Sequence, residues 1–294
     1  MILITGWNVF YCTLRNLVSL FGKTSVRRNS TPLMKRFGWM ALCLITLIVA
    51  LWLGSCSPPP TQVIALNFCS AGMVRSALEE LDATYQQEHP NVVLNYTFAG
   101  SKTTKAAIEQ GEPFDGVLFA EIPPLDDLQA KGLILPTSRK ELVTTDIVVI
   151  APVDSPLQLS DLRELASDRI KTVAIGGKGP AIGRYTHALL TRLGIAQIVE
   201  SKAIQTKVDV REVLRTVELG EAEVGITFLS EAKSSDKVKV LTTAAAELYE
   251  PIRSGVAVVK TSTHAQEMQT YLDFLTSERA KAVFQRFGLH PLVS

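Results

Sequence analysis

The sequence predicts an α/β fold with two lobes, each a mostly parallel sheet flanked by helices. Short apolar strand patterns alternate with helical patterns along most of the chain, as in parallel sheets covered by helices. The alternation restarts at an apolar strand, residues 147–151, which indicates a second lobe. Several strands also run into helices through turns of small residues, which let a ligand approach the backbone closely.

Each element follows from hydrophobic periodicity and from the residues that end each run. The predicted strands are residues 63–68, 92–96, 117–120, 147–151, 172–175, 224–228 and 256–259. A first helix is predicted between residue 72 and Pro90. Further helices are predicted at 105–110, 123–131, 161–166, 184–193 and 210–217. Two more are expected near the C-terminus, around 268–275 and 283–287. Ser160 and Asp209 are the expected N-caps of two of these helices.

The turn at residues 97–104 is the strongest candidate for a binding site. Ser101 occupies the position of an N-cap, so its hydroxyl and the next free amides would face one point, as in an anion site. Lys102 and Lys105 in the first turn oppose the helix dipole unless a negative charge arrives. The alternative is an ordinary capped helix with two solvated lysines.

The charge distribution separates the first 55 residues from the rest of the chain. The protein has 294 residues, with 30 Lys and Arg, 29 Asp and Glu, and a net charge of +1. Residues 1–55 hold six of the basic residues and no acidic one, which leaves the remainder with 24 basic against 29 acidic residues and a net charge of −5. A mildly acidic domain lacks the basic footprint of a nucleic-acid binder.

The N-terminal segment has the pattern of a bacterial lipoprotein signal. Lys35 and Arg36 precede an uncharged apolar run at 37–53, and Leu-Gly-Ser-Cys ends at Cys56, which resembles a lipobox. We therefore expect a signal peptide at 34–55, lipidation of Cys56 and a proline-rich tether at 56–61, whereas a single transmembrane anchor is the alternative. Translation is expected to start at Met34, which makes 1–33 a doubtful N-terminal extension.

No catalytic or metal-binding pattern is visible. Of the four cysteines, only Cys69 would remain as a thiol after processing and lipidation, and no Cys/His metal spacing occurs. The glycine-rich stretch at 176–183 fits neither a P-loop nor a dinucleotide-binding motif. Asp115 has the setting of a buried carboxylate without a visible partner. We expect no enzyme activity, no metal and no cofactor.

From about Val63 to Leu289 the chain resembles the periplasmic molybdate-binding proteins of ABC importers. The matching segments are FCSAGM at 68–73, TFAGS at 97–101, GEPFD at 111–115, DVR at 209–211, VGITF at 224–228, GVAVV at 255–259 and FQRFG at 284–288. The resemblance implies a two-lobed type II periplasmic-binding-protein fold with the ligand cleft between the lobes. Lobe 1 would comprise residues 62–145 plus about 246–294, and lobe 2 residues 146–245.

The resemblance also implies which residues hold the ligand, a tetrahedral oxyanion. Ser101 matches a ligand serine, Val210 a valine that donates its backbone amide, and Ala181 and Ile182 lie where another helix-start amide is offered. Two further positions depart from the family pattern. Gly72 stands where the family usually has a ligand serine, and Ser70 is a possible substitute donor there. Phe228 stands where the family usually has a ligand tyrosine.

The function that the resemblance implies is that of the extracytoplasmic solute-binding component of an ABC importer for molybdate or tungstate. Its partners would be the permease and ATPase subunits, with the lipid anchor as membrane contact and a monomeric state. A binding protein for another anion or small solute is the nearest alternative. An envelope sensor or enzyme built on the same fold is an alternative from a different class.

Overall fold

The computed structural model of the chain describes residues 63–177, 179–206 and 210–292. Within these ranges the strands are β1 (Ile64–Ser70), β2 (Val92–Phe98), β3 (Gly116–Phe119), β4 (Lys140–Thr145), β5 (Ile147–Pro152), β6 (Val173–Gly176), β7 (Ala203–Thr206), β8 (Val224–Phe228), β9 (Val238–Thr243), β10 (Arg253–Val258) and β11 (Leu289–Pro291). They form a six-stranded sheet of order β11-β4-β10-β3-β1-β2 and a five-stranded sheet of order β7-β6-β8-β5-β9.

Helices connect most of these strands. They are α1 (Arg75–Glu88), α2 (Ser101–Glu109), α3 (Pro123–Ala130), α4 (Ala181–Arg192), α5 (Ala196–Ser201), α6 (Val210–Glu218), α7 (Leu229–Ala232), α8 (Ala265–Phe274) and α9 (Glu278–Arg286). Single 3-10 turns add Gly72–Val74, Pro136–Ser138, Leu162–Ala166 and Ala246–Leu248. We call the six-stranded sheet with its helices lobe 1, and the five-stranded sheet with its helices lobe 2.

Most strands of each sheet point in one direction, as the sequence predicts. In the six-stranded sheet β1, β2, β3 and β4 run the same way and β10 and β11 run against them. In the five-stranded sheet only β5 is reversed. The reversed strands were not predicted as such. β10 and β11 follow the return of the chain from the five-stranded sheet to the six-stranded one, where β10 is inserted between β3 and β4.

The chain passes from lobe 1 to lobe 2 and back at neighbouring places. The first passage is Asp146 alone, between β4 and β5, and the second is the segment between β9 and β10. Tyr249 of the second passage donates a hydrogen bond from Oη to Asp146 Oδ1 at 3.4 Å. The two passages are therefore in direct contact.

Buried apolar side chains from both sheets form one large cluster. All five residues of 147–151 are fully buried, which explains why this strand is a continuous apolar run instead of an alternating one. In lobe 1, the Phe68 ring packs edge-on against Tyr271 with ring centroids 5.5 Å apart. The hydroxyls of Tyr96 and Tyr271 are hydrogen-bonded at 2.8 Å within this core.

Several predicted details differ in the structure. Asp161, and not Ser160, caps the turn Leu162–Ala166, because its carboxylate accepts from the Arg163 amide while Glu164 reaches back to complete a capping box. The strands β4, β7, β9 and β11 were missed. They are short or contain several polar residues, which weakens the apolar signal.

The predicted extension 1–33, signal peptide 34–55, lipidated Cys56 and tether 56–61 lie outside the described residues. In the part of the chain that the structure describes, no helix is both long and apolar enough to cross a membrane.

Candidate anion-binding site

A cavity of about 210 Å³ lies between the two sheets and is lined from both. Lobe 1 contributes Ala71, Gly72, Met73, Phe98, Ala99, Gly100, Ser101, Thr103 and Ala120, and lobe 2 contributes Pro180, Ala181, Ile182, Val210 and Phe228. The cavity thus lies at the carboxyl ends of strands from both lobes, where ligands of open α/β sheets bind.

Four helix starts meet at this cavity. The 3-10 turn Gly72–Val74 and α2 come from lobe 1, and α4 and α6 come from lobe 2. The first amides of a helix have no acceptor within it and carry a partial positive charge. Because four such ends face one space, the cavity favours a negatively charged ligand with several oxygen acceptors.

Ser101 is the first residue of α2 and not its N-cap, which corrects the prediction from the sequence. Gly100 is the N-cap, and no side chain caps the helix. The Ser101 side chain is only 4% exposed, and its Oγ has no hydrogen-bond partner among the described residues. A buried hydroxyl without a partner costs about 1–3 kcal/mol, so a ligand oxygen that accepts from it regains that free energy.

Neither lysine of α2 lines the cavity. Lys105 Nζ lies 2.5 Å from Asp127 Oδ2 of α3 and 3.7 Å from Glu109 Oε1, so its charge is already neutralised within lobe 1. Lys102 is exposed and does not line the cavity. None of the described residues that line the cavity is charged, so the donors available to an anion are amides and hydroxyls.

The structure brings together six of the seven predicted ligand residues. Gly72, Ser101, Ala181, Ile182, Val210 and Phe228 all line the cavity. Ser70 does not line the cavity. Ser70 is 1% exposed at the end of β1, and its Oγ donates to the carbonyl oxygen of Ala71 at 3.2 Å.

Phe228 makes the lobe 2 wall apolar. It ends β8, is 1% exposed, and packs edge-on against the Tyr185 ring with centroids 6.3 Å apart. Burial raises the pKa of Tyr185 to about 12, and the nearby Glu121 carboxylate adds to this effect. Neither aromatic ring therefore brings a charge to the cavity at neutral pH.

Sequence reasoning missed part of the cavity lining. Thr103, in the first turn of α2, adds a second hydroxyl-bearing side chain, and its position two residues after Ser101 was the available signal. Phe98 adds an aromatic ring, and the Arg75 guanidinium carbon lies 4.2 Å from the centroid of that ring. A cation is thus held close to the cavity by stacking on its wall.

The glycine-rich stretch serves helix packing. A Cβ at Gly183 would lie 1.7 Å from the carbonyl oxygen of Gly177 and 2.6 Å from that of Gly176. The absence of a side chain at Gly183 therefore lets the first turn of α4 approach the end of β6 closely. This close approach places the Ala181 and Ile182 amides at the cavity.

Other candidate groups have structural partners. Asp115 accepts hydrogen bonds from the Asn67 amide at 2.8 Å and from Ser262 Oγ at 2.6 Å, which supplies the partners that the sequence did not reveal. Cys69 is a free, buried thiol 3.1 Å from Thr104 Oγ1, and burial raises its pKa. Within the described ranges no three His, Cys, Asp or Glu side chains are placed to hold a metal ion.

Comparisons with known proteins identify the family of the chain. The family model described as bacterial extracellular solute-binding protein matches residues 66–290. The molybdate-binding protein ModA of Haemophilus influenzae is 30% identical over 226 residues, covering 75% of this chain and 87% of that protein. The ABC transporter substrate-binding lipoprotein YvgL of Bacillus subtilis is 27% identical over 248 residues, covering 84% of this chain and 95% of that protein.

Among solved structures, the substrate-binding domain of a molybdenum ABC transporter from Clostridium difficile is similar, with a TM-score of 0.64 and 29% identity, covering 77% of this chain and 98% of that one. The resemblance to periplasmic molybdate-binding proteins and the predicted two-lobed fold are confirmed. The chain is a member of the bacterial extracellular solute-binding protein family.

Proposed function

We propose that the protein is the extracytoplasmic solute-binding component of an ABC importer and that its ligand is a tetrahedral oxyanion, molybdate or tungstate. The observation that carries this proposal is the meeting of four helix starts around a cavity that also contains the partnerless hydroxyl of Ser101. The names of the related proteins, which include molybdate-binding ModA and a molybdenum transporter domain, support the choice of anion.

The cavity would hold a dianion through neutral donors. Charge-assisted hydrogen bonds from amides and from Ser101 Oγ would surround its oxygens, with Ala181, Ile182 and Val210 contributing from lobe 2. Gly72 and Phe228 lack the hydroxyls that the family resemblance leads one to expect. Since a hydrogen bond to a charged group is worth about 1.5–3 kcal/mol, their loss lowers the affinity by about two or more powers of ten.

Calorimetric titration of the purified protein with molybdate, tungstate and sulfate tests the proposal. We expect saturable binding of molybdate and tungstate and weaker binding of sulfate. If the protein binds none of the three, the assignment of the ligand is wrong.

A second candidate ligand is another anion, one with an apolar substituent. Met73, Phe98 and Phe228 give the cavity a largely apolar wall. Such a wall would contact an apolar substituent, which molybdate and tungstate lack. A thermal-shift screen that includes methylphosphonate and small phosphate esters beside molybdate separates the candidates. A ligand present at about 100 times its dissociation constant stabilises the fold by about 2.7 kcal/mol.

The proposed role requires partners and no catalysis. Permease and ATPase subunits of an importer would receive the ligand from a monomeric binding protein that carries no cofactor. Genes for such subunits beside the gene of this protein favour transport over an envelope sensor or enzyme. We propose residues 62–145 with about 246–294 as lobe 1 and 146–245 as lobe 2, in accord with the strands that each sheet contains.

We also propose that the mature protein is attached to the membrane by lipid on Cys56. The sequence pattern at 34–56 supports this, as does the description of the related YvgL as a lipoprotein. Cys56→Ser should release the protein from membranes or leave it unprocessed. Unchanged membrane fractionation and unchanged mass of this variant contradict the proposal.

We further propose that translation starts at Met34. Detection by mass spectrometry of a peptide from residues 1–33 in the native host contradicts this start.

A further inference from the structure

Two contacts join the lobes directly beside the cavity. In the first, Arg184 Nη2 of α4 in lobe 2 forms an ion pair with Glu121 Oε1 of lobe 1. The side chains are 29% and 15% exposed, so water screens this pair only in part. Arg184 Nη1 also donates to the carbonyl oxygen of Gly179 at 2.7 Å, which fixes the guanidinium against its own lobe.

The second contact connects α6 of lobe 2 with α1 of lobe 1. Arg211 Nη2 donates to Ser76 Oγ at 2.9 Å. Arg211 Nε lies 3.9 Å from Oε2 of Glu231, whose side chain is 3% exposed within lobe 2. The Arg211 guanidinium thus lies between a buried carboxylate of its own lobe and a hydroxyl of lobe 1.

Both arginines belong to the first turns of the helices whose starts face the cavity. Arg184 comes two residues after Ile182, and Arg211 directly follows Val210. Their partners in lobe 1 are equally close to the cavity lining. Glu121 follows Ala120, and Ser76 comes two residues after the 3-10 turn Gly72–Val74. Each contact therefore ties a helix start of lobe 2 to a cavity wall of lobe 1.

We propose that Arg184 and Arg211 are positioning residues that set the affinity and the release rate of the anion without touching it. The inference rests on the proposed function. An anion held by helix starts of both lobes is bound tightly only while those starts face each other. Interlobe contacts that exist only in this closed arrangement raise its population, and the apparent affinity rises in proportion.

Glu121→Gln and Ser76→Ala test the two contacts separately. Each variant should raise the dissociation constant for molybdate about fivefold, as expected for partly exposed polar contacts. The change should appear in the dissociation rate, because the lost contacts hold the closed complex. Small-angle scattering of the ligand-free variants should show a larger radius of gyration than that of the wild type.

Asp126→Asn is the matched control. It breaks the ion pair between Arg139 Nη2 and Asp126 Oδ1, 2.5 Å apart, which lies entirely within lobe 1. This variant should change neither the molybdate affinity nor the radius of gyration. The charge swap Glu121→Arg with Arg184→Glu should return the ligand-free radius of gyration to that of the wild type, because it restores the pair with opposite polarity.

Unchanged affinity and unchanged radius of gyration in both single variants overturn the inference. So does a ligand-free wild type that is already as open as Glu121→Gln. If the wild type binds none of molybdate, tungstate and sulfate, the proposed ligand fails. The radius of gyration of the ligand-free variants still decides whether Arg184 and Arg211 hold the lobes together.

Discussion

Ser101 and Phe228 line the same cavity from different lobes, and only Ser101 has a side chain that can donate a hydrogen bond. The Ser101 hydroxyl is buried without a partner among the described residues, whereas the Phe228 ring packs against Tyr185. Among the described residues that line the cavity, the side-chain hydroxyls therefore all come from lobe 1. Lobe 2 contributes mainly backbone amides at the starts of α4 and α6.

Ser101→Ala should weaken molybdate binding by about 10- to 150-fold, the equivalent of about 1.5–3 kcal/mol for a hydrogen bond to a charged group. Calorimetric titration measures this change. The ligand-free stability should stay the same or rise slightly, because the hydroxyl caps nothing and loses no partner. Ser230→Ala removes another buried hydroxyl without a described partner, one that does not line the cavity, and should leave binding unchanged.

Phe228→Tyr should strengthen molybdate binding about tenfold, because it adds a hydroxyl donor to the apolar wall. Titration with molybdate and tungstate measures this gain. Phe228→Leu is the comparison variant, since it changes the ring without adding a donor, and it should not gain affinity. Equal or weaker binding by the tyrosine variant shows that the cavity is built for a different anion.

Gly183→Ala should destabilise the fold by about 1–3 kcal/mol, because the added methyl group collides with backbone oxygens of residues 176 and 177. It should also weaken anion binding, since α4 must move and takes its first amides with it. Thermal or urea unfolding and titration measure the two effects. Gly179→Ala is the control, because a Cβ there meets nothing within 4 Å.

Stability should fall at alkaline pH because of the hydrogen-bonded pair Tyr96 and Tyr271. Burial raises the pKa of both phenols above the usual 10.0, so the folded state keeps protons that the unfolded chain loses. This contribution is complete below pH 10 and is lost as the pH rises further, by up to about 1.4 kcal/mol per pH unit for each group.

Urea unfolding at several pH values between 9 and about 12 measures that slope. Tyr271→Phe should show a shallower decline than the wild type, although it is less stable at neutral pH because it loses the 2.8 Å hydrogen bond. An identical slope in the two proteins contradicts the assignment.

The sequence predicts the central strands well, because β3, β5 and β8 are buried on both faces and consist mostly of apolar residues. It fails on the edges. β7 and β9 have exposed or half-buried residues, and polar residues interrupt their patterns. The reversed direction of β10 depends on a pairing with β3 across more than a hundred residues, which local periodicity does not contain.

For the site, the sequence locates the turns but not the roles within them. Six predicted residues line the cavity because small residues after strands mark helix starts that ligands can reach. The N-cap was assigned one residue too late, at Ser101 instead of Gly100, because the sequence does not show where the helical backbone begins. The Arg184 and Glu121 pair was invisible, because its members come from different lobes.

The strand order also determines how the chain folds as it is made. The strands of lobe 2 all lie between Ile147 and Thr243, so this lobe has its complete sheet while synthesis continues. The six-stranded sheet needs β10 between β3 and β4, and this strand comes later in the chain. Until Arg253–Val258 emerges, β3 and β4 each keep an unpaired edge, so lobe 1 is the part more exposed to aggregation during synthesis.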